Sequence, residues 1–155
     1  MHEQYSKLII SLPLFKGYTA EGAQRLINSG AIKDHPAGEI VFKEGDAPTC
    51  VLLVLSGKLQ VYVEREGKEL ILTDGGPGTI IGELAVLCGL ERAASVRVVE
   101  PSSVLEWDDD DFRGLLLKDA FLSQRIFRQS LRTLIEKERS LIASLTQAQS
   151  KPAST

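Results

Sequence analysis

The sequence predicts an α+β fold that is mainly β: short helices first, then an antiparallel sandwich or barrel, then a long helix. Two observations lead there. From about residue 31 to residue 107, runs of Val, Ile, Leu, Phe and Tyr at strand length alternate with Gly- and Pro-containing breakers at roughly 8–12-residue spacing. Before and after that region the apolar residues recur at helical spacing instead.

Taken in order, "EQYSKLIISLPLF" reads as a short amphipathic helix stopped by Pro13, since proline disfavours helix in the residue before it. "TAEGAQRLINSG" offers Thr19 as an N-cap and a glycine at its end, the marks of a second short helix. The β region is punctuated by Pro-Ala-Gly, Gly-Asp, Ser-Gly, Glu-Gly and Gly-Gly-Pro-Gly. Within it "KLQVYVE" alternates, with Leu59, Val61 and Val63 on one face. "RAASVRVVEPSSVLEWDDDDF" predicts two further strands with a turn at Pro101. Asp108–Asp111 suit the positive N-terminal end of a helix through "FRGLLLKD"; a cation site lacks the strict spacing of a calcium loop. A long helix is expected from Ala120 to Thr146, with Phe127, Leu131, Leu134, Leu141 and Leu145 near heptad spacing and Glu138 in the seam. That stripe fits packing on the domain's own β-core or a dimeric coiled coil. "QAQSKPAST" reads as a frayed tail.

Composition bounds the function. The chain has 155 residues, 43% hydrophobic and 25% charged, enough to bury a core without a disulfide or metal staple. Cys50 and Cys88 have no second thiol or histidine at metal-ligand spacing, so zinc and iron–sulfur sites are disfavoured and a reducing cytosol is expected. No apolar stretch approaches the ~20 residues of a membrane span, and the N-terminus lacks a secretory cleavage pattern. A net charge of −3 argues against a nucleic-acid binder; basic residues on the last helix are interleaved with glutamate. A cupin-like metal enzyme needs two or more histidines beside a carboxylate, and only His2 and His35 exist. Nothing in the spacing supports a Cys88–His35 nucleophile and base, and His35, before Pro36, reads as a surface turn residue.

The chemistry concentrates in "IIGELAVLCGLERAASVRVV", residues 81–100, where Glu83 and Arg92 interrupt an apolar run. "GELAVL" reads as one helical turn opened by Gly82, which leaves the backbone N–H groups of Glu83, Leu84 and Ala85 without helical partners and suited to an anion. Arg92 can grip two phosphate oxygens with its planar guanidinium. Ala93, Ala94 and Ser95 leave room beside it, and the Ser95 hydroxyl can donate. Glu83 only accepts when ionised, so it suits a ligand that carries a hydroxyl as well as a phosphate. A nucleotide phosphosugar satisfies both demands. A buried Glu83–Arg92 ion pair closing the β structure is the competing reading.

The spacing Gly82-Glu83-Leu84-Ala85, a six-residue gap, then Arg92-Ala93-Ala94-Ser95-Val96 closely resembles the phosphate-binding cassette of cyclic nucleotide-binding domains. Such domains occur in protein kinase A regulatory subunits, cyclic nucleotide-gated channels and the bacterial catabolite activator protein. "PAGEIVFKEGD", "VLSGKLQVY", Gly76–Gly78 and "LPLF" also look like this family, and the resemblance covers about residues 8–145. It implies an antiparallel double-stranded β-helix, a jelly-roll-like β-roll. The chain 1–155 is then a single domain with helical residues 1–30, β-roll 31–107, C-terminal helices 108–147 and tail 148–155. It implies further that Arg92 pairs with the cyclic phosphate, that Glu83 accepts from the ribose 2′-hydroxyl, and that Gly82 through Ala85 supply backbone N–H groups. Ser95 takes the family's Thr/Ser position. Ala93 lacks the hydroxyl often linked to cyclic GMP preference, which tilts the ligand toward cyclic AMP. The base-capping residue is expected on the long helix near Arg128 or Arg132.

Two residues depart from the pattern: Glu91 stands where a proline is frequent, and Thr79 where an aspartate often follows the glycines. The expected function is a non-enzymatic, cytoplasmic cyclic nucleotide sensor that needs no other cofactor or metal. Its output would run through the C-terminal helix to a protein effector or a second copy. Direct DNA binding is disfavoured, because too few residues follow the long helix for a helix-turn-helix. The alternative is an interaction or dimerisation module that kept the β-roll without the ligand.

Overall fold

A computed structural model describes residues 3–150, and the chain divides into two compact units, one ending at Lys118 and the other beginning at Asp119. His2 and residues 151–155 lie outside the described residues.

In the first unit, helix α1 (Glu3–Ser11) stops two residues before Pro13, and Pro13–Phe15 turns as a short 3-10 helix that buries Leu14 and Phe15. Helix α2 (Ala20–Asn28) starts on the predicted cap: the Thr19 hydroxyl accepts from the Gly22 N–H at 3.0 Å. Gly30, expected to cap its end, is needed for a different reason. A Cβ there would sit 2.5 Å from the carbonyl of Glu106, so glycine lets the chain pass close to the sheet.

The six strands are β1 (Ala31–His35), β2 (Ile40–Phe42), β3 (Cys50–Arg65), β4 (Lys68–Gly75), β5 (Ile80–Ile81) and β6 (Ser95–Asp108). They form one antiparallel sheet in the order β1-β6-β3-β4, with β2 also on β6 and β5 on β3. The helix–sheet–helix order and the antiparallel pairing agree with the expected fold class. Two expected breaks are not breaks. The Ser-Gly at residues 56–57 and the Pro101 turn lie inside long strands, opposite one another, where the β3–β6 register shifts. Gly57 adopts φ 87° there, and a Cβ would run into Ser102 and the carbonyl of Pro101. The paired irregularity turns both strands together instead of ending either. A true turn sits at Glu66-Gly67, both at positive φ, the two-residue signature that matches strand twist.

Phe42, Leu52, Val54, Leu59, Ile81, Val96, Val98 and Val104 form a buried cluster, with Val61 packed against it. Val63 is also buried, as the alternation predicts. Between them Val51 to Leu55 are buried without alternation, so this stretch of β3 is covered on both faces. Trp107 is fully buried; its Nε1 donates to the Ser29 hydroxyl at 2.8 Å, and its ring lies 5.7 Å from that of Phe112.

Helix α3 (Glu83–Cys88) is the predicted single short helix, and α4 (Asp109–Lys118) follows the aspartate run. Asp108 caps α4 by accepting from the Asp111 N–H at 2.7 Å, and Asp109 and Asp110 pair with Arg113. The run is therefore helix capping. His35 is the last residue of β1, not a turn residue, and its mostly buried ring meets Glu39 at 3.0 Å.

The second unit is the helix α5 (Ala120–Ser150), longer than the Ala120–Thr146 expected, so residues 148–150 are helical and not tail. Asp119 caps it by accepting from the Leu122 N–H at 3.0 Å. Phe127, Leu131, Leu134, Leu141 and Leu145 are all exposed. No helix among the described residues is long and apolar enough to cross a membrane.

Candidate functional site

β5 delivers the chain to Gly82, which sits at φ 88° and opens α3. A Cβ at this position would lie 2.5 Å from Nη1 of Arg92 and 3.0 Å from the ring of Phe42. Backbone conformation and space both demand glycine. Glu83, Leu84 and Ala85 form the first turn of α3 and are half-buried; a second left-handed glycine, Gly89, ends the helix. Arg113 of α4 donates to the Val86 carbonyl at 3.2 Å and ties down the same helix.

Arg92, in the loop between α3 and β6, is only 4% exposed. Its Nη1 donates to the Gly82 carbonyl at 2.9 Å and its Nη2 to the Cys50 carbonyl at 2.5 Å. Cζ lies 3.8 Å from the centroid of the Phe42 ring. Nε is buried and has no hydrogen-bond partner among the described residues. The backbone of Arg92 is pinned too: its N–H donates to Asp46 and its carbonyl accepts from Gly45, each at 2.8 Å. Burial pushes the guanidinium below its ordinary range, while the neighbouring Cys50 thiol and the Asp46 and Glu83 carboxylates push the other way. Arginine keeps its proton under such opposing shifts. The result is a charged group in a protein interior whose Nε–H meets no acceptor among the described residues, an arrangement that costs free energy until an acceptor is supplied.

Ser95 is the first residue of β6, and its hydroxyl accepts from the Glu44 N–H at 2.9 Å, which leaves it a proton to donate. Ala93 is exposed, as is Glu91. The structure thus gathers Gly82, the first turn of α3 and Arg92 around one glycine-lined turn. Sequence reasoning missed Phe42, the Cys50 carbonyl and the Gly45-Asp46 turn as supports of Arg92. The signal was "VFKEGD", 46 residues upstream at its nearest, with no periodicity to connect it to Arg92.

Cys50 is partly buried, and burial, the nearby Glu106 carboxylate and a hydrogen bond to it push its thiol up to about 11, against a smaller opposing effect of Arg92. It also lines a cavity of about 520 Å³ with Lys33, Glu106 and Asp108; Lys33 and Glu106 are ion-paired there. Cys88 is exposed on α3. Among the described residues no three His, Cys, Asp or Glu side chains gather closely enough to hold a metal ion.

Comparison with known proteins bears on this geometry. The family described as cyclic nucleotide-binding domain matches residues 32–119. A cAMP-dependent protein kinase regulatory subunit of Pyricularia oryzae is 33% identical over 92% of this chain and 40% of its own length. The crystal structure of Thermus thermophilus catabolite activator protein superposes with a TM-score of 0.77 at 28% identity, covering 84% of this chain and 62% of that one. The regulatory domain of Toxoplasma gondii PKA, crystallised with cAMP, gives 0.62 at 29% identity, covering 72% and 43%. This chain spans from 13% to 66% of the length of its curated relatives. With more than half of its residues matched and the turn, the helix and the arginine of the motif assembled in one place, the chain belongs to the cyclic nucleotide-binding domain family.

Proposed function

We propose that this chain is a cyclic nucleotide sensor: a cytoplasmic regulatory module without catalytic activity that prefers cyclic AMP to cyclic GMP. The observation that carries the reading is the buried Arg92 guanidinium, whose Nε–H has no partner among the described residues. A cyclic phosphate supplies an acceptor for that Nε–H and a negative charge in direct contact with the guanidinium. Glu83 accepts from the ribose 2′-hydroxyl, and the backbone N–H groups from Gly82 through Ala85 and the Ser95 hydroxyl donate to the remaining oxygens. Ala93 adds no hydroxyl of the kind that favours guanine. Support comes from the relative with cAMP bound and from the kinase regulatory subunit.

Binding has consequences only if it favours one conformation over another. The proposed output is movement of α5, read by an effector protein or a second copy of the chain. Titration calorimetry with cyclic AMP and cyclic GMP tests the sensor role: no heat with either nucleotide, from folded protein, removes it.

One observation favours the second reading, an association module without ligand. The run of exposed apolar residues on α5, from Phe127 to Leu145, is what a constitutive dimer needs. Light scattering with and without cyclic AMP separates the two, since the sensor changes its association or shape with ligand and the constitutive module does not.

A further inference from the structure

We infer that Phe42 is a positioning residue for Arg92, and so a determinant of how the phosphate is held; the inference rests on the cyclic nucleotide reading above. Two carbonyls, those of Gly82 and Cys50, hold Nη1 and Nη2 of the guanidinium. Both act at its rim. The ring of Phe42, 3.8 Å from Cζ, supports its face. With the face supported and each amino group held by a carbonyl, Nε is the guanidinium nitrogen left without any partner among the described residues, and its direction follows from the other three contacts.

Phe42 is itself held. It is 6% exposed, belongs to the buried cluster, and sits opposite Val96 in the β2–β6 register. The same ring edge lies 3.0 Å from where a Cβ of Gly82 would be, so glycine, arginine and aromatic ring meet at one point. An arginine over an aromatic face gains more when water is excluded, as it is at a residue with 4% exposure. Leucine or methionine would fill much of the same volume but offer no π-face.

The test compares wild type with Phe42→Leu and Phe42→Met, two variants so that failure of one to fold leaves the other. Calorimetry with cyclic AMP is expected to give a Kd about fivefold weaker in the folded variants. A second readout separates positioning from general loosening: the two diastereomers of adenosine 3′,5′-cyclic phosphorothioate, with sulfur in place of one or the other exocyclic oxygen. Wild type is expected to discriminate between them, because the guanidinium would favour one oxygen. The variants are expected to lose most of that discrimination, whereas loosening weakens both diastereomers equally. In a cycle with Arg92→Lys, the two losses are expected to be non-additive. Wild-type binding with unchanged Kd and discrimination in the variants overturns the role of Phe42 alone. Failure of folded wild type to bind any cyclic nucleotide overturns the function and this inference together.

Discussion

Nη1 of Arg92 donates to the carbonyl of Gly82 at 2.9 Å, so the arginine is fastened to the turn that makes room for it. The two ends of the motif, ten residues apart in sequence, are one structural unit before any ligand arrives. Changes at either end are therefore expected to disturb both folding and binding.

Gly82→Ala is the sharpest case. It places a side chain at φ 88° and a Cβ 2.5 Å from Nη1 of Arg92. The expected cost is about 1–3 kcal/mol of stability from backbone strain, plus loss of cyclic AMP affinity as Arg92 is displaced. Urea denaturation and calorimetry on the same sample check both. Wild-type stability and affinity would show that the turn does not constrain the arginine.

The Cys50 thiol gives stability a pH dependence of definite sign. Its value rises from 9.0 to about 11 on folding, so the folded state retains a proton that the unfolded chain has released. The contribution is fully present below pH 9 and is lost as pH rises through 11. The slope is at most about 1.4 kcal/mol per pH unit, reduced by the residue's partial exposure. Denaturation midpoints of wild type and Cys50→Ala between those limits should converge as pH rises. At neutral pH a thiol reagent is expected to modify exposed Cys88 well before Cys50.

Trp107 is the only tryptophan in the chain and makes its polar contact with Ser29. Ser29→Ala leaves a buried indole N–H unsatisfied and is expected to cost about 1–3 kcal/mol. Tryptophan fluorescence during denaturation reads the effect directly. Cyclic nucleotide affinity should not change, because neither residue touches Arg92 or Gly82.

Local signals in the chain were sufficient for much of this. The Thr19 cap, the aspartate cap of α4 and the glycine-opened turn at Gly82 depend on neighbours a few residues away, and the sequence shows them. The continuity of β3 through Gly57 and of β6 through Pro101 was not visible. Each residue breaks a strand when read alone, and only their pairing across 44 residues of chain lets both strands continue. The supports of Arg92 were hidden for the same reason. Two are backbone carbonyls, which carry no sequence signal, and Phe42 reads as any other core aromatic. Glu91 places a carboxylate next in sequence to Arg92. The side chain is exposed while Arg92 is buried, and the carboxylates that act on the guanidinium are those of Asp46 and Glu83.

Arg92 is buried, and its Nε–H meets no acceptor among the described residues, which suits it to a cyclic phosphate. Calorimetric titration of wild type and Arg92→Ala with cyclic AMP tests that role most directly. Saturable binding by wild type and at least about a tenfold loss in the variant are expected, the effect of removing a charge-assisted bond. Equal dissociation constants for the two folded proteins would contradict it.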